Sequence, residues 1–278
     1  IYRIRGIGDQ ETLWLVRDAA QLRRWDTAAK FAFVHPMYGL ALRLMTRWVA
    51  DCRTTAENLG RRYPALSDRI GWAHTPCEAM EPQVSTEPLV LSATSLHSPR
   101  KYGGLLRHWD ALFEAIGACP DVRLRICGDG FFRRAFTREL ARRRVSRRID
   151  WVGYSPTFRE DLARAACLLH LSDMDSYPSV VLEARAAGCP VIANDVGGVR
   201  EMIDDGVDGF VLRDPRDLPD RMRRILGDAA LRSRMAEAGR ARVLRENSME
   251  RIGQELLAEI GAALQGRANR GRGTWAAG

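Results

Sequence analysis

An α/β fold built on a parallel sheet wound on both faces is what this sequence predicts, on three observations. From residue 89 onward, short runs rich in Val, Ile and Leu alternate with stretches of helical periodicity, the rhythm of repeated strand–helix–strand units. That rhythm begins only after a stretch, residues 73–88, that carries Pro76, Pro82 and Pro88, several polar residues and little periodicity. A chain of 278 residues, 46% hydrophobic and 28% charged, has material for one good core or two modest ones.

Taken in order, residues 1–8 read as a short strand ending in glycines. Residues 11–50 carry helical periodicity interrupted at His35-Pro36 and Gly39; a proline breaks a helix, so His35 is assigned to the interruption rather than to a site. The proline-bearing stretch is the predicted linker, with the boundary near 84. There follow LVLSA, a helix over about 103–117, VRLRICG, a helix over about 132–143, RIDWVG, a helix near 158–166, LLHLS, a helix from about 180, PVIAND, another from about 199, and GFVL. Residues 218–264 read as helical, with apolar spacing of three and four. The last segment, QGRANRGRGTWAAG, is a Gly/Arg-rich flexible tail with no packable face. The expected domains are therefore 1–84, 85–264 and a tail, 265–278.

Composition narrows the function. The net charge of +8 invites a nucleic-acid reading, but the positive charge is almost all arginine, Lys30 and Lys101 being the only lysines, a skew typical of coding bias. The densest run, residues 138–148, sits at an expected helix end, where cations favour the dipole, and reads as a solvated face. No nucleic-acid-binding module accompanies it, so nucleic acid is excluded as a partner; the alternative for the run is a peripheral contact with an anionic membrane. The six cysteines form no C-x-x-C pair and indicate neither a zinc site nor a disulfide framework; reduced thiols fit a cytoplasmic protein. No stretch approaches the roughly 20 apolar residues of a membrane-spanning helix. The start, Ile1-Tyr2-Arg3-Ile4-Arg5, resembles neither a signal peptide nor a native N-terminus, and a fragment of a longer chain is expected.

Open parallel sheets bind ligands at the carboxyl ends of their strands, so residues just after each strand come first. After RLRI comes Cys127-Gly128-Asp129-Gly130, a turn whose glycines permit close backbone approach. After LLHLS comes DMDSYPSVVLEARAAGCPVIANDVGGVREMIDDGVDGF. Pro178 and Ser179 start a helix, Glu183 is expected in its first turn, Gly188 stops it before Pro190, and a strand leads to Asn194. Gly197-Gly198 then opens the next helix, where free N–H groups and the dipole suit an anion such as a diphosphate. His170, on an apolar strand, reads as a packed core histidine.

This run resembles the donor domain of family 4 glycosyltransferases. Their pattern is an acidic residue, seven residues, then Glu-Ala, followed by G-x-P-V-I-A and G-G-x-x-E. The likeness extends upstream through SPRKYGGLL, ICGDG and WVGY and downstream through DGVDGFVL, covering about residues 85–250. It implies a GT-B architecture, with residues 85–264 as one complete Rossmann-like domain that binds a nucleotide sugar. Residues 1–84 would be a truncated Rossmann-like remnant of the acceptor-side domain.

The resemblance also implies roles. Glu183 would bond the ribose hydroxyls, Asp175 would lie near the donor sugar, and Lys101 would hold the phosphates, these three being the catalytic set. Gly128, Gly130, Ser179, Gly197 and Gly198 would line the donor site, with Tyr154 near the base and Arg5-Gly6 on an acceptor-side edge. The family usually has an arginine five residues before the lysine; here Leu96 stands there, and Arg100 or His97 is the candidate replacement.

The implied reaction is sugar transfer with retention from a nucleoside diphosphate to a glycan or lipid-linked acceptor in cell-envelope polysaccharide synthesis. It uses no protein nucleophile, cofactor or metal, although Asp173-Met174-Asp175 has the form of a metal-binding D-x-D. The protein is expected in the cytoplasm or peripherally at the inner face of the membrane. The competing reading is a non-catalytic sugar-nucleotide-binding relative. A dinucleotide oxidoreductase is disfavoured because no strand is followed by G-x-G-x-x-G.

Overall fold

The computed structural model describes residues 2–4, 44–81, 88–143 and 147–273. Elements are numbered along these residues. The chain divides into two compact units, one formed by Ile1–Pro76 with Met249–Gly278, the other by Cys77–Ser248. The expected boundary near 84 thus moves to the start of the proline stretch, and the second unit ends at Ser248 rather than at 264.

In the first unit, β1 (Tyr2–Ile4), β2 (Trp48–Ala50) and β3 (Ile70–Trp72) form a parallel sheet in that order. Residues 48–50, expected to end a helix, are therefore a strand. They are buried on both faces, as a central strand requires, and helical spacing upstream is no guide to where a pattern gives way to burial on all sides. Helix α1 (Arg53–Arg62) turns Ala56 and Leu59 inward, and Leu59 packs with Trp48, Met45, Tyr63, Leu66 and Ile70. The last helix, here α10 (Met249–Gly273), closes this unit: Glu255 accepts from the His74 N–H at 3.0 Å and Glu259 pairs with Arg47. The predicted loose tail is thus helical as far as Gly273. Once a helix is nucleated by packed residues, each added residue gains a backbone hydrogen bond without needing an apolar face.

The second unit holds six parallel strands: β4 (Leu89–Ala93), β5 (Arg123–Cys127), β6 (Ile149–Gly153), β7 (Cys167–His170), β8 (Val191–Asn194) and β9 (Phe210–Leu212). Their spatial order is β6-β5-β4-β7-β8-β9, so the winding reverses between β4 and β7. That is the 3-2-1-4-5-6 order of doubly wound dinucleotide-binding sheets, with a crevice at the reversal. Val90, Leu91, Leu168, Leu169 and Ile192 are fully buried, which explains their uninterrupted apolar runs, while in β5 the buried Leu124 and Ile126 flank the partly buried Arg125.

The connecting helices are α2 (Pro99–Arg107), α3 (Trp109–Ala118), α4 (Arg133–Ala141), α5 (Phe158–Arg164), α6 (Ser179–Ala186), α7 (Val199–Met202), α8 (Leu218–Gly227) and α9 (Ala229–Glu246). Among them α3 packs with α8, α5 and α9 pack with α6, and α8 also meets α9.

Where boundaries depart from expectation, side chains that cap are responsible. The helix expected over 103–117 begins at Pro99, because Ser98 accepts from the Arg100 N–H at 3.3 Å and proline suits the first helical position. It breaks at His108, whose Nδ1 lies 2.7 Å from the Gly104 carbonyl oxygen. The expected helix over 218–264 is three, divided at Asp228, which caps α9 by accepting from Leu231 at 2.9 Å, and at Asn247-Ser248.

Candidate active site

A cavity of about 460 Å³ opens at the carboxyl ends of the strands where the order reverses. Thr94, Ser95 and His97 enter it from the loop after β4, Gly128 and Asp129 from the loop after β5, and Tyr154 and Ser155 from the loop after β6. His170 and Asp175 come from the end of β7 and its loop, and Ser179 from the start of α6. Lys101, in the first turn of α2, completes the wall.

The loop carrying Asp175 is held on several sides. Asn194, at the end of β8, donates to the Ser172 carbonyl at 2.7 Å and accepts from the Ser172 N–H at 2.8 Å. The Asp173 N–H reaches the Arg100 carbonyl at 2.9 Å, and the Gly198 N–H reaches the Ser176 carbonyl at 2.6 Å. Gly197 has φ +53°, and a Cβ there would be driven into the Asp175 carbonyl oxygen. The glycine pair therefore serves as the seat of the Asp175 loop. The Gly198 N–H, expected to face a diphosphate, is taken up by Ser176, and neither glycine lines the cavity.

Asp175 is bracketed by two cationic or proton-bearing groups. Its Oδ1 pairs with Lys101 Nζ, and its Oδ2 lies 3.3 Å from His170 Nε2. Burial alone would raise its pKa, but His170 and the charge of Lys101 outweigh burial and hold it at about 2. The carboxylate is thus ionised at any physiological pH. The neighbouring Asp173 turns instead to Arg107, at 2.7 Å, and burial raises its pKa. The two acids of the D-M-D sequence accordingly serve different cations.

Of the other residues singled out from sequence, Gly128, Tyr154 and Ser179 line the cavity, Tyr154 being 78% exposed at its rim. Arg100, Gly130 and Glu183 do not. Arg100 offers its carbonyl to the Asp173 loop, and Gly130 packs its backbone against Leu96. Leu96 itself is fully buried, while His97 lines the cavity. Glu183 lies in the second turn of α6 rather than the first, because the helix begins at Ser179; its Oε1 is 3.7 Å from Arg159 Nη2. Ser179 and Glu183 nonetheless share a helix face, four residues apart. Arg5, Gly6 and His35 lie outside the described residues. His170, assigned to the core, is buried but also lines the cavity floor. Its place as the final residue of the strand at the order reversal is what distinguishes it from its apolar neighbours.

A doubly wound parallel sheet with a lysine and an ionised carboxylate in the crevice at its switch point defines a nucleotide-binding domain of the Rossmann-like class. The chain belongs to the glycosyl transferases group 1 family, whose model matches residues 78–242. It is 31% identical over 217 residues to a D-inositol 3-phosphate glycosyltransferase of Xylanimonas cellulosilytica, covering 69% of this chain and 51% of that protein. It is 27% identical over 246 residues to an alpha-D-kanosaminyltransferase of Streptomyces kanamyceticus, covering 83% and 63% respectively.

Among solved structures, TarM of S. aureus in a complex containing UDP superposes with TM-score 0.69 at 15% identity, over 78% of this chain and 44% of that one. Anabaena HepE with UDP-glucose superposes with TM-score 0.68 at 19% identity, over 81% and 66%. These likenesses establish the GT-B fold. The chain spans about half the length of the first of these relatives. Among the described residues no helix is long and apolar enough to cross a membrane.

Proposed function

We propose that this chain carries the donor-binding half of a glycosyltransferase that moves a sugar, with retention, from a nucleoside diphosphate to a glycan or lipid-linked acceptor, in envelope polysaccharide synthesis. The single observation that carries the reading is the cavity at the strand-order reversal, where Lys101 sits beside the ionised Asp175. A compact ammonium in a half-buried cleft suits a diphosphate oxygen, and charge developing on a leaving diphosphate is stabilised by such a preplaced cation. Asp175 would face the sugar, Tyr154 the base, and Glu183, one turn beyond Ser179, the ribose. The family membership, and the UDP and UDP-glucose named with the superposable structures, support a nucleotide sugar as donor. No metal is required in this reading, since Asp173 and Asp175 are each engaged by a different cation.

The acceptor side is assigned to the domain of which residues 1–84 are a remnant, the protein working in the cytoplasm or peripherally at the inner face of the membrane, where the basic run 138–148 would meet anionic lipid. A non-catalytic nucleotide-sugar-binding relative is the second reading, favoured by the buried Leu96 and by Glu183 being turned to Arg159.

Calorimetry of UDP-, GDP-, ADP- and dTDP-sugars against the chain and its Lys101→Ala and Glu183→Ala variants tests the donor site. Submillimolar binding of one nucleotide, lost in both variants, is expected. Absence of binding, or variants that bind like the parent, sinks the proposal. Release of nucleoside diphosphate by the full-length protein, unaffected by EDTA, separates enzyme from scaffold.

A further inference from the structure

His170 is 4% exposed, yet neither ring nitrogen has an aligned hydrogen-bond partner. Its Nε2 is 3.3 Å from Asp175 Oδ2, within reach of the carboxylate but not in a well-formed hydrogen bond. The same carboxylate's other oxygen holds Lys101. An anion in the cavity therefore competes with Asp175, whose side chain is only 16% exposed, for the Lys101 ammonium. A carboxylate so buried is costly to leave without a partner. Of the groups lining the cavity around it, Asp129 is a like charge, Thr94, Ser95, Ser155 and Ser179 are neutral hydroxyls, and His97 belongs to the loop after β4. Among the described residues lining the cavity, His170 has a ring nitrogen without a hydrogen-bond partner 3.3 Å from the carboxylate, and it stands on the central strand β7.

We propose that His170 is a positioning residue that takes over Asp175 when an anionic diphosphate draws Lys101 away, so that the lysine is exchanged between the protein's own carboxylate and the ligand. The inference rests on the reading of this cavity as a nucleoside-diphosphate site. The ligand-free pair is then a self-filled site. The ring needs only to turn into line with Oδ2 for Asp175 to remain fixed while the ammonium moves. The carboxylate stays where a donor sugar would meet it. No covalent step or net proton transfer is involved: one ion pair is replaced by another and a weak contact becomes a hydrogen bond.

The test is calorimetry of UDP and of inorganic pyrophosphate with the parent, His170→Gln, His170→Leu, Asp175→Asn and the Asp175→Asn/His170→Leu double variant. A hydrogen bond to a charged group is of the size that makes the leucine variant bind about tenfold more weakly. Glutamine, which can place an N–H near the position of Nε2, should restore affinity to within about twofold. In the Asp175→Asn background no buried charge is stranded when Lys101 moves, so the leucine substitution should change affinity by less than about twofold.

Equal losses in both backgrounds, or a glutamine variant as weak as leucine at unchanged melting temperature, would mean that His170 only packs, and overturn its role while leaving the donor site standing. A parent that binds neither anion overturns the donor-site reading and the exchange together. Carboxyl-carbon NMR titration of Asp175 in Lys101→Met gives an arm without nucleotide. His170 should keep Asp175 titrating at lower pH than leucine does at position 170, and identical titrations refute the contact.

Discussion

The strongest test of the fold around the site lies in DGVDGF. Asp208 is 3% exposed and its carboxylate is shared: Oδ2 pairs with Arg185 and lies 3.4 Å from Arg242 Nη1, while Oδ1 accepts from the Asp204 N–H at 2.7 Å. The Arg185 side chain, on α6, is 1% exposed, and burial lowers its pKa against the pull of Asp208. Arg242 is 25% exposed and keeps Glu246 at 2.9 Å, so it can survive the loss of Asp208. Arg185 cannot, having no other acid paired with it among the described residues.

Asp208→Ala should therefore cost about 3–5 kcal/mol, the usual penalty for stranding one member of a buried ion pair. Asp208→Asn keeps an acceptor for Asp204 but loses the charge and turns an NH2 donor toward Arg185, so about 2–3 kcal/mol is expected. Replacing both partners, Arg185→Met with Asp208→Leu, should be milder than Asp208→Ala alone, since no charge is left stranded. Urea unfolding followed by hydrogen exchange of the β8 and β9 amides reads the cost in the second unit. An alanine variant within about 1 kcal/mol of the parent, or a double variant worse than the single, would refute the assignment of that energy to a stranded guanidinium.

Three further outcomes are expected. Gly197→Ala puts a Cβ where the Asp175 carbonyl lies and forces a left-handed backbone on alanine, so it should lower stability by about 1–3 kcal/mol and weaken UDP binding with it; unchanged melting and binding would contradict the seat assigned to this glycine. Asp175 has a folded pKa of about 2 against an ordinary 3.8, so its contribution is complete above the unfolded value and lost as pH falls through the folded one. The shift corresponds to about 2 kcal/mol at pH 7, roughly halved near pH 3; a stability gap between parent and Asp175→Asn that does not narrow on acidification is the contrary result. Burial pushes the thiols of Cys127 to about 11 and Cys167 to about 12, so iodoacetamide at pH 8 should leave both unmodified in the native protein and label them in urea; mass-spectrometric detection of either adduct without denaturant contradicts their burial.

The parallel sheet was legible because strands covered on both faces must be apolar throughout, and runs such as Leu168-Leu169 and Val191-Ile192 show it without reference to neighbours. Helix ends were less legible because they are set by side-chain hydrogen bonds that do not alter periodicity: Ser98, Asp228 and His108 shift or split elements whose apolar spacing runs straight through them. Residues 48–50 were misassigned for the complementary reason, a three-residue strand being too short to display a period of its own.

At the site, the family resemblance brought Asp175 and Lys101 to one cavity, but it could not say which amides remain free once the loop has folded. Gly198 satisfies Ser176, so a glycine pair at a helix start, an anion site by pattern, becomes a support for the acidic loop. His170 shows the opposite failure. Its apolar neighbours argued for the core, yet the end of a central strand at the order reversal is where this fold exposes its ligands, and a histidine spends hydrogen-bonding capacity there that leucine would not. Position within the topology outweighs local hydrophobicity in assigning such a residue, and the buried, unsatisfied ring beside Asp175 is the physical trace of that difference.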